Sequence, residues 1–162
     1  MALFRDLDSR PSRREAEAVE QWMSSKHAFH VMRDHPAHDM PILAGMWGVK
    51  LNQNNLRPAL RSVFLAMLRS ASSYWEADDL NNIGSEDQAL LERYLWPWAK
   101  ALTLQHDSYH CDLFTKSHPW PSQRQEEEPN NFVGAPVALN SILRDPCPKK
   151  CRPREHQEWI LC

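Results

Sequence analysis

Residues 2–23 read ALFRDLDSRPSRREAEAVEQWM, and this stretch decides the fold class. Residues 2–4 predict a short strand, because three apolar side chains give way abruptly to a charged turn. Ser12 and Glu15 then form a capping-box pattern, and apolar residues recur after them at helical spacing. A helix is therefore predicted from about Arg13 to Ser25. A strand followed directly by an amphipathic helix is typical of α/β proteins.

The same alternation continues downstream. Residues 29–32 predict a second strand, and residues 56–68 predict a well-buried helix because apolar side chains lie on more than one of its faces. A polar turn over residues 78–85 leads to a third helix, capped by Ser85 and interrupted by Pro97. Residues 101–104 predict a last short strand. We expect a layered α/β domain, although these strands are few for a parallel sheet.

The composition narrows the class of protein. A chain of 162 residues with 42% hydrophobic and 25% charged residues fits one globular domain. A formal net charge of -2 gives no basic field, which argues against a nucleic-acid partner. No apolar run approaches the roughly 20 residues of a membrane span, and no signal peptide is evident. The localisation stays unknown from the sequence.

From His106 onward the chain is rich in Pro, Asn and Glu, which predicts a loop-rich tail. Three of the four cysteines fall in the last sixteen positions: Cys147, Cys151 and Cys162, with Cys111 earlier. This clustering favours disulfides that staple the tail. The alternatives are a structural Zn site, with His156 as a further ligand, and free thiols.

Asp6 and Asp8 form a D-x-D pair at the end of the first predicted strand. In a turn, two such carboxylates can hold one Mg²⁺ or Mn²⁺ when phosphate oxygens supply the remaining ligands. The guanidinium of Arg5 stands next to the pair and could contact phosphate. An isolated D-x-D is far more often a solvated turn, so its neighbours decide the interpretation.

Three further clusters carry side chains that could bind a substrate or a metal ion or act in catalysis. The second predicted strand is followed by Arg33, Asp34 and His35, whose side chains could form hydrogen bonds with sugar hydroxyls. Alternatively, Arg33 and Asp34 could form an ion pair that stiffens the turn. Asp87 and Gln88 begin the third helix, where an acid also favours the helix dipole. A carboxylate there could act as a base. His106 follows the last strand and is a competent ligand for Mn²⁺.

Seven Trp residues are a high number for this length. An indole offers a flat apolar face and a polar N–H, so it can form a stacking wall for a sugar or fill a core.

Taken in order, the motifs resemble those of bacterial and eukaryotic glycosyltransferase-like proteins of the GT-A type. The succession is R-D-x-D-S-R, R-E-x-x-A-V, F-H-V-M-R-D-H-P, P-I-L-x-G-M-W-G, E-D-Q-x-x-L, H-D-S-Y and F-V-G, from Arg5 to about Gly134. The combination is much more specific than any single motif. It implies that residues 1–134 are the C-terminal portion of a Rossmann-like GT-A domain, and residues 135–162 a loop-rich, Cys-containing tail.

The resemblance implies a metal-dependent transfer of a sugar from a nucleotide sugar to a carbohydrate or glycoconjugate acceptor. Metal ligands for Mn or Mg would be Asp6, Asp8 and His106, and Asp87 would act at the reacting carbon. The substrate-binding residues would be Arg5, Arg33, Asp34, His35, Gly45, Trp47, Gly48 and Gln88. Donor, acceptor and stereochemistry are beyond the sequence.

The chain also departs from the family. A GT-A domain has about a hundred residues of nucleotide-binding fold before its D-x-D, whereas only four residues precede Arg5 here. We therefore expect weak nucleotide binding, an inactive enzyme or a homo-oligomer formed through an exposed sheet edge. Two other classes stay open: a non-catalytic carbohydrate-binding or interaction module, and a metal-dependent hydrolase using Asp6, Asp8 and His106.

Overall fold

A computed structural model describes residues 1–53, 56–74 and 86–162. The predicted polar turn over residues 78–85 and the cap at Ser85 lie outside these ranges. No helix within them is both long and apolar enough to cross a bilayer.

Four strands form one mixed sheet: β1 (Ala2–Arg5), β2 (Phe29–Arg33), β3 (Met46–Val49) and β4 (Thr103–Asp107). Their order is β1-β3-β2-β4. Strand β3 is antiparallel to both of its neighbours, while β2 and β4 are parallel. The predicted α/β class is confirmed, with a mixed sheet. Because β1, β2 and β4 run in one direction, their carboxyl ends share one edge of the sheet.

Helix α1 (Arg13–Ser24) follows the prediction closely. The Ser12 side chain accepts a hydrogen bond from the Glu15 backbone N–H at 3.1 Å, which is the N-terminal half of a capping box. Ala18 and Trp22 are fully buried and pack the helix against the sheet.

Helix α2 spans Leu56–Tyr74, six residues beyond the predicted end. The third helical segment begins with α3 (Glu86–Leu90), passes through a π-helical turn (Leu91–Leu95) and continues as α4 (Trp96–Ala99). Pro97 stands in the first turn of α4 and has no N–H to donate to the preceding turn. The predicted interruption at Pro97 therefore takes the form of a π-helical turn just before it.

The sheet is covered on both faces, so the domain has three layers. One face packs against α2, α3 and α4 through an apolar core that includes Phe29, Val31, Trp47, Val49, Leu56, Leu60, Leu91 and Leu95. The opposite face packs against α1 and the C-terminal loops through Ala18, Met32, Met46, Trp120 and Val133. Side chains of β2 alternate between the two cores, as the pleat requires.

Residues 108–162 are mostly irregular, with two 3-10 turns at Val137–Leu139 and Lys149–Cys151. Two disulfides, Cys111–Cys151 and Cys147–Cys162, use all four cysteines. The loops return to the sheet: the Asp107 N–H of β4 donates to the His118 carbonyl oxygen at 3.1 Å, and the His118 N–H donates to the Gln105 carbonyl oxygen at 2.7 Å.

Candidate functional site

The D-x-D turn has a fixed backbone and exposed side chains. The Asp6 carbonyl oxygen accepts hydrogen bonds from the Ser9 N–H at 3.4 Å and the Ser9 hydroxyl at 3.2 Å. The Asp8 carbonyl oxygen accepts one from the Val137 N–H at 2.8 Å. Asp6 and Asp8 themselves are exposed. The turn is thus held through its main chain, which leaves both carboxylates free to meet a ligand.

The carboxylates of Asp6 and Asp8 are not paired with other groups of the described residues. Within residues 1–53, 56–74 and 86–162, Asp6 and Asp8 have no hydrogen-bond or ion-pair partner for their carboxylate oxygens. The Asp6 carboxylate lies over Gly45, where a Cβ would overlap it. Glycine at this position therefore permits the observed orientation of Asp6.

An apolar groove adjoins this corner of the sheet. Its volume is about 270 Å³, and its walls include Phe4, Ala44, Trp47, Asp87 and Leu90. Trp47 is 2% exposed and stacks on Phe4 with ring centroids 4.0 Å apart. Asp87 is the only ionisable residue among the described residues that line the groove. The indole of Trp47 is thus both a core side chain and part of a groove wall.

Gln88 fixes α3 to the loop before β3. Its side-chain oxygen accepts a hydrogen bond from the Ala44 N–H at 3.1 Å, and its Nε2 donates to the Ile42 carbonyl oxygen. The neighbouring Asp87 is exposed, and one of its carboxylate oxygens accepts from the Gln88 N–H at 2.8 Å. Four predicted site residues, Asp6, Gly45, Trp47 and Asp87, therefore lie around one corner, with Gln88 as their structural support.

Asp34 lies elsewhere, at the centre of a buried polar network. Arg14 donates to both of its carboxylate oxygens at 2.8 Å, the Ser108 hydroxyl donates at 2.6 Å and the Val133 N–H at 3.0 Å. Arg124 approaches to 3.5 Å. Burial alone would raise the pKa of the Asp34 carboxyl, but the two guanidiniums outweigh it and hold that pKa below its usual value. Asp34 is fully buried, so its carboxylate pairs with other groups of the protein and does not face a ligand.

Arg33 is also fully buried and saturated with partners. It donates to the Asp107 carboxylate at 2.6 Å, the Gln105 side-chain oxygen at 2.7 Å and the Pro41 carbonyl oxygen at 2.7 Å. Its guanidinium carbon lies 3.8 Å from the centroid of the Phe114 ring. The predicted Arg33–Asp34 ion pair is not formed: Arg33 instead pairs with Asp107, its register partner on β4, and so links two strands of the sheet.

The structure does not bring His106 to the D-x-D turn. Its Nδ1 lies 2.7 Å from His30 Nε2, and its Nε2 lies 2.8 Å from the Gln21 side-chain oxygen. It is on β4, three strand spacings or about 14 Å from β1. Across the part of the chain that the structure describes, no three His, Cys, Asp or Glu side chains are grouped to hold a metal ion.

Three further predicted residues point away from the corner. Arg5 turns toward α1, with its Nε 3.1 Å from a Glu15 carboxylate oxygen. His35 packs against Phe132, with ring centroids 4.7 Å apart. Gly48 is buried, and a Cβ there would come within 2.7 Å of Leu3 Cδ2. Gly48 thus serves close packing between the sheet and α1.

Sequence reasoning missed the partners of Asp34. Arg14 occupies the first turn of an amphipathic helix, where a charged side chain is normally exposed. Ser108 and Arg124 come from irregular segments that no periodic pattern describes. The one available signal was that Asp34 closely follows a predicted strand dominated by apolar residues, so its charge would need a partner if the strand is buried.

The lowered pKa values of buried His30 and half-buried His38 predict a loss of stability in acid. Burial lowers the pKa of His30 to about 3 and that of His38 to about 4. The unfolded chain binds these protons near pH 6.5, so the folded state loses stability as the pH falls below that value. We expect each residue to cost about 2 kcal/mol at pH 5 relative to pH 7. Urea unfolding at the two pH values measures the difference.

His38→Asn is the informative variant, because an amide oxygen can still accept from the Asp34 N–H that now donates to His38 Nδ1 at 3.0 Å. It should remove the share of the pH dependence due to His38. An equal free energy of unfolding at pH 5 and pH 7 in the unmodified chain would contradict the prediction.

Comparison with known proteins yields no relative: no family model, no curated protein sequence and no solved structure matches this chain.

Proposed function

We propose that the chain is a metal-dependent, GT-A-like glycosyltransferase that transfers a sugar from a nucleotide sugar to an acceptor hydroxyl. The observation that supports this proposal best is the D-x-D turn. Asp6 and Asp8 are exposed and free of partners in the described part of the chain, on a backbone held through their own carbonyl groups. Two unpaired carboxylates on a fixed turn can approach one divalent cation without first breaking a contact with the protein.

The donor set fits Mg²⁺ or Mn²⁺. Both ions prefer hard oxygen ligands, and one or two protein carboxylates suffice when phosphates complete the coordination. Asp6 and Asp8 would hold the ion, which offsets the negative charge that develops on the departing diphosphate. In this proposal the nucleotide and water supply the remaining ligands, because His106 is buried and bonded to His30 and Gln21.

Asp87 is the candidate for the acceptor side. Its carboxylate is exposed, and it lines the same groove as Trp47 and Phe4. Placed there, it can orient an acceptor hydroxyl and accept its proton. Gln88, by binding the backbone of residues 42 and 44, holds the start of α3 against the loop that carries Gly45. The position of the Asp87 carboxylate relative to the D-x-D turn would then depend on the side-chain amide of Gln88.

Thermal unfolding with Mn²⁺, UDP and GDP, added singly and together, tests the proposal. We expect nucleotide to raise the melting temperature only when Mn²⁺ is present, since Asp6 and Asp8 would hold the diphosphate only through the ion. Ligand at a hundredfold excess over its Kd stabilises a protein by about 2.7 kcal/mol. Asp8→Asn should abolish the shift.

Two matched variants sharpen this experiment. Gly45→Ala should weaken the Mn²⁺-dependent shift without unfolding the protein, because the new methyl group displaces the exposed Asp6 carboxylate. Asp39→Asn removes a different exposed carboxylate and should leave the shift intact. The absence of any nucleotide shift with Mn²⁺ would refute the proposal. Stabilisation by Mn²⁺ alone would instead favour a metal-dependent hydrolase, and stabilisation by sugars without metal a binding module.

A further inference from the structure

A second, polar cavity lies between the first turn of α1 and the loop of residues 121–131. Its volume is about 720 Å³, within the range of roughly 300–1,000 Å³ typical of small-molecule sites. The side chains that matter for its chemistry are Arg13, Glu17, Gln123, Gln125, Asn130 and Trp159. None of them belongs to the groove beside Asp87.

Arg124 also lines this cavity and carries an unused hydrogen-bond donor. Its side chain is 0% exposed. One terminal nitrogen lies near Asp34, and the other donates to the Tyr109 hydroxyl at 2.6 Å and to the Asp145 carbonyl oxygen at 3.0 Å. The Nε of Arg124, however, is buried without a hydrogen-bond partner in the described residues. This Nε is not exposed to the cavity, so the contacts that a ligand could make come from the other lining side chains.

The charges of the cavity cancel. Arg13 pairs with Glu17 at 2.8 Å, and Arg14 and Arg124 both face Asp34. Glu128 adds one more negative charge at the rim. The lining residues carry three cations and two anions, and Asp34 behind the wall supplies the third negative charge that neutralises them. This balance leaves no excess positive charge for a phosphate and no excess negative charge for a metal ion. The cavity suits a neutral, polar ligand.

We propose that this cavity binds a neutral carbohydrate, independently of metal. Amide, carboxylate and guanidinium groups offer planar pairs of donors and acceptors that match neighbouring sugar hydroxyls. Trp159 adds an apolar wall for the C–H face of a sugar ring. One face of its indole stacks on His156, with centroids 4.1 Å apart, which holds the ring in place.

Two hydrogen bonds link the cavity to the D-x-D turn through Val137. Asn130 Nδ2 donates to the Val137 carbonyl oxygen at 3.5 Å, and the Val137 N–H donates to the Asp8 carbonyl oxygen at 2.8 Å. A carbohydrate held here would lie on the loop that supports Asp8. Binding itself goes beyond the proposed transferase function and does not depend on it, whereas a role as the acceptor site rests on that function.

An array of neutral, sulfated and phosphorylated oligosaccharides probed with the full chain in EDTA tests this inference, with binding expected among the neutral ones. We expect at least one oligosaccharide to bind, and calorimetry with it should give the same Kd with and without Mn²⁺. Replacing Gln123 and Gln125 together by Ala should weaken binding about tenfold, the loss of roughly 1.4 kcal/mol of hydrogen bonding. Trp159→Leu, which keeps an apolar side chain, should weaken it further. Gln53→Ala, on the loop before α2, is the matched control and should bind normally.

Three results would overturn the inference: no binding above that of heat-unfolded protein, binding only to sulfated or phosphorylated sugars, or an unchanged Kd in the Gln123 and Gln125 double variant. The two proposals fail separately. Asp8→Asn should retain oligosaccharide binding, and the Gln123 and Gln125 double variant should retain the shift with Mn²⁺ and nucleotide.

Discussion

Replacing Asp34 by Asn should destabilise the protein by about 3–5 kcal/mol, because it removes one charge from a buried ionic network. Arg14 and Arg124 would then be buried without a counter-ion, and an amide cannot accept both hydrogen bonds of the Arg14 guanidinium. Domains are stable by only about 5–15 kcal/mol, so the variant should be marginally folded. Urea unfolding followed by circular dichroism measures the change.

Two comparisons separate the network from a general effect of the substitution. Asp39→Asn changes an exposed carboxylate five positions along the same segment and should alter the stability by less than about 0.5 kcal/mol. Combining Asp34→Asn with Arg14→Met should restore part of the loss, since the double variant leaves fewer unpaired charges in the interior. A loss below 1 kcal/mol in Asp34→Asn alone would show that the network does not hold the loops to the sheet.

Local pattern was enough to predict the first strand, the first helix and their cap. Ser12 and Glu15 lie within one helical turn, and their hydrogen bond depends on no distant residue. The partners of Asp34, in contrast, come from positions 14, 108, 124 and 133. No spacing in the sequence relates these positions, because the packing of α1 and the C-terminal loops on one sheet face brings them together.

Strand order was likewise beyond the sequence. Residues 41–47 form an apolar segment, but the strand in this region, β3, begins only at Met46 and ends at Val49. It lies between β1 and β2 in the sheet. This insertion separates β1 from β4 and so separates Asp6 and Asp8 from His106. The turn that carries Asp6 and Asp8 could be predicted, because it depends on neighbouring residues alone, and its role as a metal site stays a prediction. The candidate site could not be predicted where it depends on which strands are neighbours.

Removing the Cys111–Cys151 disulfide should cost more stability than removing Cys147–Cys162. The first closes a loop of 40 residues and the second a loop of 15. In the chain-entropy model these loops correspond to about 4 and about 3 kcal/mol. For a domain of this size, 4 kcal/mol lowers the melting temperature by about 8–16 °C. Replacing both cysteines of one bridge by Ser, one pair at a time, and measuring thermal unfolding gives the two values.

Dithiothreitol is the matching control, because it should lower the melting temperature of the unmodified chain and leave a variant without cysteines unaffected. A larger loss on removing Cys147–Cys162 would contradict the ranking by loop length and indicate that native contacts dominate. Such contacts exist: Ser108 Oγ lies 3.0 Å from the Cys162 carbonyl oxygen and 2.6 Å from the Asp34 carboxylate.

Combining the variant that lacks Cys147 and Cys162 with Asp34→Asn distinguishes an effect on the unfolded chain from an effect on native contacts. If the bridge stabilises only by shortening the unfolded chain, the two losses should add; if it also positions Ser108, their sum should exceed the measured loss.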